Sequence, residues 1–573
     1  MTMSKTKLIR MSALAAMLCL TAQADEVDRL ASAGATAPKR LAELKLPEMT
    51  GWVRRTHNIG VVEVADGVLK LGTDVAGQDS ILQYDIPLAG TGAARLAIAA
   101  RWRLEGVVGG DQGYQKMGIQ GRYKSGGNEI GGWVALGNGA GTTEWADDAI
   151  ESDVPEGADS FFIRVYAYGC KSGRILVSAL TVDGISAEAM AAHKLRFRPA
   201  KEYGAPPPAS RLEKMKSGIN INNWFCQPWN WYIDGTRGNF NAEWYDMFMP
   251  DADLKKLAAS GVRHIRLPIE PEAFMDLQTG ALRHEEMALL GKALARIRAA
   301  GLAVEFNPHC KMPALKAMCQ TKGMPDKFVR WAGEMAEWLN ANTDPEWVFI
   351  DVLNEPGSAG YYINDWIPMQ DRLIAAIRAK APRHTLILNA AGYQLWNELE
   401  WFPVHPDLNT VYAVHYYHPG VLTHQGALWM KTWYHPLRKI PWPFTANDLD
   451  AAIANLDRTG KNAEYAAHSE QVLRDQIARG ECLPEASDKH FDFLAEWAKT
   501  NKRAIVINEF GVNRDHCEVE SHARWLKYVR EACAKRGFGW SHWEYQANMG
   551  FADGKPGERV YDAKLAEALG FVP

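Results

Sequence analysis

Two textures of apolar and polar positions divide the chain. From about residue 45 to 185, apolar residues tend to alternate with polar ones, as in "RLAIAARWRL" (Arg95 to Leu104), "FFIRVYAY" (Phe161 to Tyr168) and "ILVSALTV" (Ile175 to Val182). Gly-rich turns such as "SGGNEIGG" and "LGNGAG" separate these runs. A period of two with frequent turns predicts short strands packed as a β-sandwich, assigned to residues 25–200. "KEYGAPPPASRLEK" follows, with three consecutive prolines, and predicts a stiff extended linker over residues 201–216.

Beyond the prolines the pattern changes. Continuous apolar runs alternate with stretches of helical period: "GINI" (218–221), "HIRLPI" (264–269), "LAVEFN" (302–307), "WVFIDVLN" (347–354), "HTLILN" (384–389), "TVYAVH" (410–415), "AIVIN" (504–508) and "FGWSHW" (538–543). Between the second and third runs, Met287, Leu290, Leu294 and Ile297 mark one face of a helix. Further helices are expected near 328–339 and 371–380. Continuous runs fit strands buried on both sides, as in a parallel sheet. Eight βα units predict a (β/α)8 TIM barrel over residues 217–573, with an insertion at about 420–489. The expected fold class is thus multi-domain, a β-sandwich followed by a TIM barrel.

Composition narrows the function. A net charge of −4 lacks the strongly basic face that nucleic acid requires. Residues 1–24 read as a signal peptide: Lys5, Lys7 and Arg10 precede the short apolar run from Met11 to Leu20 and the Ala22-Gln23-Ala24 site. That run is too short to span a bilayer, so a secreted or periplasmic protein without a membrane span is expected. Removing the signal leaves seven cysteines, an odd number, among which Cys310 and Cys319 enclose the shortest loop and are a candidate bridge. The 21 tryptophans offer flat surfaces to a ligand, or simply fill large cores. Trp224, Trp229, Trp231, Trp429, Trp433 and Trp442 fall where loops could frame a cleft. The closing "SALTVDGIS" of the sandwich resembles jelly-roll carbohydrate-binding modules, which implies a sugar-binding domain with Trp102, Trp133 and Trp145 as candidate stackers; a domain that buttresses the barrel is the alternative.

In a TIM barrel, chemistry collects at the C-terminal ends of the strands. Glu355, Glu509, Arg266, His309, His415 and Trp543 are all expected there. Taken singly, a Glu after a strand is ordinarily a solvated loop residue and an Arg a surface ion pair. The histidines alone could be core residues or metal ligands, although no metal-binding spacing accompanies them. Taken together, two carboxylates facing one cleft suit glycoside hydrolysis, which needs one protonated acid and one ionised carboxylate. Arg266 beside Glu509 would favour the ionised form of that residue, leaving Glu355 protonated.

"VLNEPGS", "VHYYHP", "VINEFGV" and "GWSHWEY", with "GININNWF" and "GVRHIRLPIEPEAF", resemble the signature segments of glycoside hydrolase family 5, the cellulase family of the retaining clan A. The resemblance runs from about Ser217 to Phe571, in the family's order. It implies Glu355 as acid/base and Glu509 as nucleophile. It also implies Asn354 on the sugar 2-OH, Arg266 near the nucleophile, and His309 after the third strand. His415 and Tyr417 match a His-x-Tyr pair whose tyrosine touches the nucleophile, and Trp543 matches a platform under the reacting sugar. Two departures stand out. "NPHCKMP" lacks the family's paired residue beside His309, and Asn508 precedes Glu509 where many members carry Gly. The resemblance implies a β-1,4-glucan or mannan backbone as substrate, no cofactor, no metal and a monomer. Exo-acting hydrolysis of oligosaccharides, a metal-dependent hydrolase, and a non-catalytic carbohydrate-binding protein are the competing readings.

Overall fold

The computed structural model of the chain describes residues 39–572 except 56–59, 77, 111–114, 188, 190–200, 227–241, 311–314, 316–317, 362 and 401. The signal sequence, Trp229 and Trp231 lie outside the described residues. The chain divides into two units, residues 1–196 and 197–573.

In the first unit the period of two is realised as two antiparallel sheets. One runs in the order Val61–Ala65, Val68–Thr73, Ser172–Ser186, Ala93–Val108, Ala146–Asp153, with Lys39–Glu43 also on Ser172–Ser186. The other runs Val53–Arg54, Ser80–Pro87, Ser160–Ala167, Met117–Ser125, Asn128–Gly139. Along Ala93–Val108 the even positions Leu96, Ile98, Ala100, Trp102 and Leu104 are buried, and they meet Phe161, Ile163 and Val165 in one apolar core. Trp102 therefore belongs to the core, its Nε1 donating to Asp148 Oδ2 at 2.7 Å, and is not a surface stacker.

The second unit is a closed barrel of eight parallel strands: β1 (Gly218–Asn220), β2 (His264–Ile269), β3 (Ala303–Pro308), β4 (Val348–Asp351), β5 (Leu386–Asn389), β6 (Thr410–His415), β7 (Ala504–Glu509) and β8 (Gly539–His542), with β8 pairing back onto β1. Almost every strand position is buried, as continuous apolar runs require. Alternate residues still point to opposite faces. Ile265, Leu267, Val304 and Phe306 face outward and pack with helices such as His284–Ala299 and Met324–Asn342. Ala303, Phe349, Ile387, Val411, Ala413 and Val506 close the barrel from within, together with Met215. Above this apolar layer the barrel interior is polar.

Residues 201–216, expected as a linker, are packed into the barrel unit. Tyr203 N donates to Pro406 O at 3.0 Å, and Leu408 N donates to Tyr203 O at 2.9 Å. Ala209–Lys214 is a helix whose buried Arg211 donates to Glu346 Oε1 at 2.9 Å and to Arg383 O at 2.7 Å. The prolines stiffen only the entry to this helix, and Met215 anchors its exit under the barrel. The insertion between β6 and β7 forms its own helices, including Asn462–Ala478, around a small core of Val421, Leu437, Ile440, Phe444 and Leu473. The candidate Cys310–Cys319 bridge is not formed, and the seven cysteines among the described residues are unbridged thiols. The Cys319 thiol is instead directed at Gly360 O, 2.7 Å away.

The lower barrel layer makes a stability prediction. Phe349 is fully buried there. Phe349→Ala should cost the barrel about 3–5 kcal/mol, read as a lower midpoint in denaturant titration. An unchanged midpoint would mean the layer is not packed as described.

Candidate active site

Glu509 is the last residue of β7, and His415 is the last of β6. A register shift between Val414 and His415 sets His415 directly opposite Glu509, the kind of irregularity that re-aims a side chain near a site. His415 Nδ1 lies 2.9 Å from Glu355 Oε1 and 3.5 Å from Glu509 Oε2, so it bridges the two carboxylates. One side-chain ligand atom from each of Glu355, His415 and Glu509 lies within 4.8 Å of the others.

Glu355 arrives differently from the sequence expectation. A following proline biases a residue toward extended backbone, yet β4 ends at Asp351 and Glu355 has φ +36°. The proline disfavours the right-handed helical region, and local hydrogen bonds select the left-handed side rather than the extended one. Asn354 N donates to Pro308 O at 2.8 Å, and Glu355 N donates to Gln394 Oε1 at 2.7 Å. Gln394, from the loop after β5, carried no signal in the sequence.

Arg266 is not at a strand end. It is the third residue of β2, fully buried inside the barrel, and its side chain reaches up to the site. Its Nη1 donates to Glu509 Oε1 at 2.5 Å and to Asn220 Oδ1 at 2.9 Å. Its Nη2 donates to Asn354 Oδ1 at 2.6 Å, and its Nε donates to Glu305 Oε1 at 3.1 Å. Asp351 Oδ2 is 3.8 Å from Nη2. Burial alone would weaken the guanidinium's hold on its proton, but the Glu509, Glu305 and Asp351 charges outweigh it and keep Arg266 charged.

The remaining expected residues join the same network. Tyr417 Oη donates to Glu509 Oε2 at 3.1 Å, and burial, followed by the charges of Glu509 and Glu355, holds its phenol protonated well above the usual range. Asn354 Nδ2 lies 3.3 Å from His309 Nε2, and His309 Nδ1 lies 3.1 Å from Asn307 Oδ1. The arrangement that satisfies both contacts puts the His309 proton on Nδ1. Asn307 Nδ2 then donates to Asp351 Oδ2 at 2.9 Å. Trp543 stacks on His309 at 5.7 Å and 24°, and a cis peptide bond joins it to Glu544. Cys310, beside His309, is buried, and burial raises its thiol's ionisation well above the ordinary range.

Sequence reasoning missed the floor of this site. Glu305 and Asp351 are fully buried acids below the mouth, inside β3 and β4. The signal was present, since each is a charge interrupting an apolar run. Asn508 is resolved by the same floor: its Nδ2 donates to Glu305 Oε1 at 2.7 Å rather than crowding Glu509. The tryptophan expectation also narrows. Trp224 and Trp442 are buried in the core, Trp433 stacks on Tyr434 at 3.7 Å, and Trp429 is the exposed one of the six among the described residues, at 55%.

A closed (β/α)8 barrel with two carboxylates, a histidine and a buried arginine converging at its mouth defines the architecture of a barrel hydrolase. The cellulase model, glycosyl hydrolase family 5, matches residues 230–549, more than half of the chain, and the chain belongs to that family. Endoglucanase 3 of Fibrobacter succinogenes is 22% identical over 379 residues, which cover 62% of this chain and 52% of that protein. The match thus spans about half the length of that relative. Endoglucanase C of Acetivibrio thermocellus is 21% identical over 347 residues, covering 58% of this chain and 92% of that protein. The solved structure of endoglucanase Cel5A from Thermotoga maritima aligns with 63% of this chain and 99% of its own, at 23% identity and a TM-score of 0.49.

The buried floor makes a pH prediction. Burial pushes the Glu305 carboxyl up to about 7, opposed by Arg266 and reinforced by Asp351. A carboxyl that binds its proton more tightly when folded makes stability fall as pH rises from the ordinary glutamate range to the raised value. Glu305→Gln removes that contribution. Its unfolding midpoint should therefore decline less than the wild type's between about pH 5 and pH 8. Parallel profiles for the two proteins would refute the assignment.

Proposed function

We propose that the barrel is a retaining β-glycoside hydrolase acting on the backbone of a β-linked glucan, with Glu355 as acid/base and Glu509 as nucleophile. The carrying observation is the unequal treatment of two carboxylates that sit close together. Carboxyl groups roughly 5 Å apart suit direct attack on the anomeric carbon, whereas inverting enzymes hold them farther apart to admit a water. Here the ligand atoms lie within 4.8 Å. Arg266 and Tyr417 both donate to Glu509, which is 6% exposed, and favour its ionised form. Among the described residues Glu355 pairs with no Lys or Arg, and at 26% exposure it reaches solvent.

In this mechanism Glu509 attacks the anomeric carbon while Glu355 protonates the departing glycosidic oxygen. Glu355 then takes a proton from water as that water releases the sugar from Glu509. His415 holds the carboxylates apart at a fixed distance. Asn354, oriented by Arg266 and His309, presents an amide beside the reacting sugar, and Trp543 offers its ring as a platform. Export through residues 1–24 fits action on a polymer outside the cell. The endoglucanase names of the relatives support a glucan, and a mannan backbone is the second substrate of this reading.

Glu509→Ala should abolish hydrolysis. Glu355→Gln should lower kcat by about 10²- to 10⁴-fold on a natural glycan, and much less on an aryl glycoside whose leaving group needs no proton. Proton NMR of the first product should show the β anomer. An initial α anomer would refute the retaining mechanism. Because Glu355, His415 and Glu509 could also hold a metal ion, turnover is to be measured in excess chelator, where the full rate is expected and its loss would favour the metal-dependent reading.

A further inference from the structure

The first unit holds a cavity that the barrel chemistry does not use. It has a volume of about 440 Å³ and lies on the outer side of the sheet containing Ser80–Pro87, Ser160–Ala167, Met117–Ser125 and Asn128–Gly139. An outward face of a two-sheet sandwich ordinarily carries polar residues. Here Phe161, Ile163 and Val165 fill the inner core, yet the outward-facing Phe162 and Tyr166 are also buried, at 2% and 5%. Trp133 and Tyr168, which line the cavity, remain 42% and 43% exposed. Flat rings at the rim of a concave face offer surfaces for the C–H faces of a sugar. The cavity is also lined by Gln120 and Asn138, amides suited to hydroxyl groups.

The charge in this cavity is the more specific feature. Arg164 lies over the Trp133 ring at 4.2 Å and near the Tyr166 ring at 5.3 Å. In the amide orientation that satisfies both groups, Gln120 accepts from Arg164 Nη2 and, at 3.1 Å, from its Nε. Among the described residues neither Arg164 nor Lys116, the second cation lining the cavity, pairs with a carboxylate. Glu129 pairs with Arg122 at 2.7 Å, and Asp85 pairs with Lys124 at 2.9 Å. Burial disfavours the Arg164 charge, and Tyr166, the more distant Glu129 charge and Tyr168 offset it only in part. Gln120 takes the Nε–Nη2 edge of the guanidinium, and the Nη1–Nη2 edge remains for a two-point contact with a carboxylate.

We propose that this cavity binds an acidic saccharide, with a uronate carboxylate on Arg164 and Lys116 and the sugar body against Trp133 and Tyr168. The site is separate from the barrel's chemistry and does not rest on the hydrolase reading. The test is calorimetric titration of the full-length chain with cellobiouronic acid and with cellobiose. The acidic sugar should bind about tenfold tighter or more, the scale of a charge-assisted bidentate contact. Arg164→Gln and, separately, Lys116→Ala should each reduce that preference, and Trp133→Ala should weaken binding of the acidic sugar. Hydrolysis of a soluble glucan should stay at the wild-type rate in all three. Equal affinity for the two sugars, no measurable binding of either, or a preference that survives both charge variants would overturn the proposal. So would equal competition by poly-glutamate, which would make the site a general anion binder. Absent hydrolysis in the wild type would count against the barrel reading and leave this binding result intact.

Discussion

The buried guanidinium of Arg266 is the constraint around which the barrel is organised. It stands inside β2 with no access to water, and such a charge is tolerable only when its donors are satisfied by oppositely charged or polar partners. Those partners come from β1, β3, β7 and the chain after β4, so one side chain ties together much of the barrel wall. Each tie also places a residue of the site. Asn354 is oriented because its oxygen is committed to Arg266, which leaves its amide nitrogen toward His309. Glu509 is drawn down into the same pocket of charge. The positions of the site residues and the stability of the barrel thus rest on the same hydrogen bonds.

This constraint also explains why the sequence was informative in one layer and silent in another. Eight apolar runs predict eight buried strands, and Thr410–His415 and His264–Ile269 form with the expected bounds. Periodicity reports burial, however, and both faces of a barrel strand are buried. It cannot separate the outward Val304 and Phe306 from the inward Glu305 and Asn307, which alternate with them. The strand ends were therefore legible, and Glu355, Glu509, His415, Tyr417 and Asn354 come together at the barrel mouth. The floor of Glu305, Asp351 and Asn508 required knowing which alternate residues face one another across the barrel. Contacts between distant segments, such as Gln394 with Glu355, leave no local pattern to read. The tryptophans show the same limit: composition suggested sugar-facing rings, yet Trp224 and Trp442 serve the core.

Asn508 and Glu305 are best understood as a matched pair. A second buried carboxylate on Arg266 competes with Glu509 for the same cation, and a buried carboxylate is costly unless it collects hydrogen bonds. The Asn508 amide supplies one at 2.7 Å. A glycine at position 508 would leave Glu305 dependent on Arg266 for that oxygen and would draw the guanidinium away from Glu509. The Asn508 side chain next to the nucleophile therefore relieves competition for the arginine. Asn508 and the buried charge of Glu305 make physical sense only together.

The backbone of Glu355 is the complementary case, in which strain rather than charge does the positioning. A glutamate at φ +36° occupies a region that costs a non-glycine residue on the order of 1–3 kcal/mol. Gln394, whose side chain accepts its N–H, is itself left-handed at φ +58°. Two strained residues joined by one hydrogen bond would relax together if that bond were not held from both sides. His415 N donates to Gln394 O at 2.8 Å, and the His415 ring meets the Glu355 carboxylate. The loop after β5, the end of β6 and the turn after β4 thereby form a closed circuit. Pro356 contributes by barring the right-handed helical alternative, and Gly357 lies close enough to Gly392 that a Cβ would contact its backbone at 2.9 Å. The charge that first looks misplaced at the end of a core strand is held there by this circuit, at the edge of solvent, while its partner Glu509 is held by Arg266 beneath it.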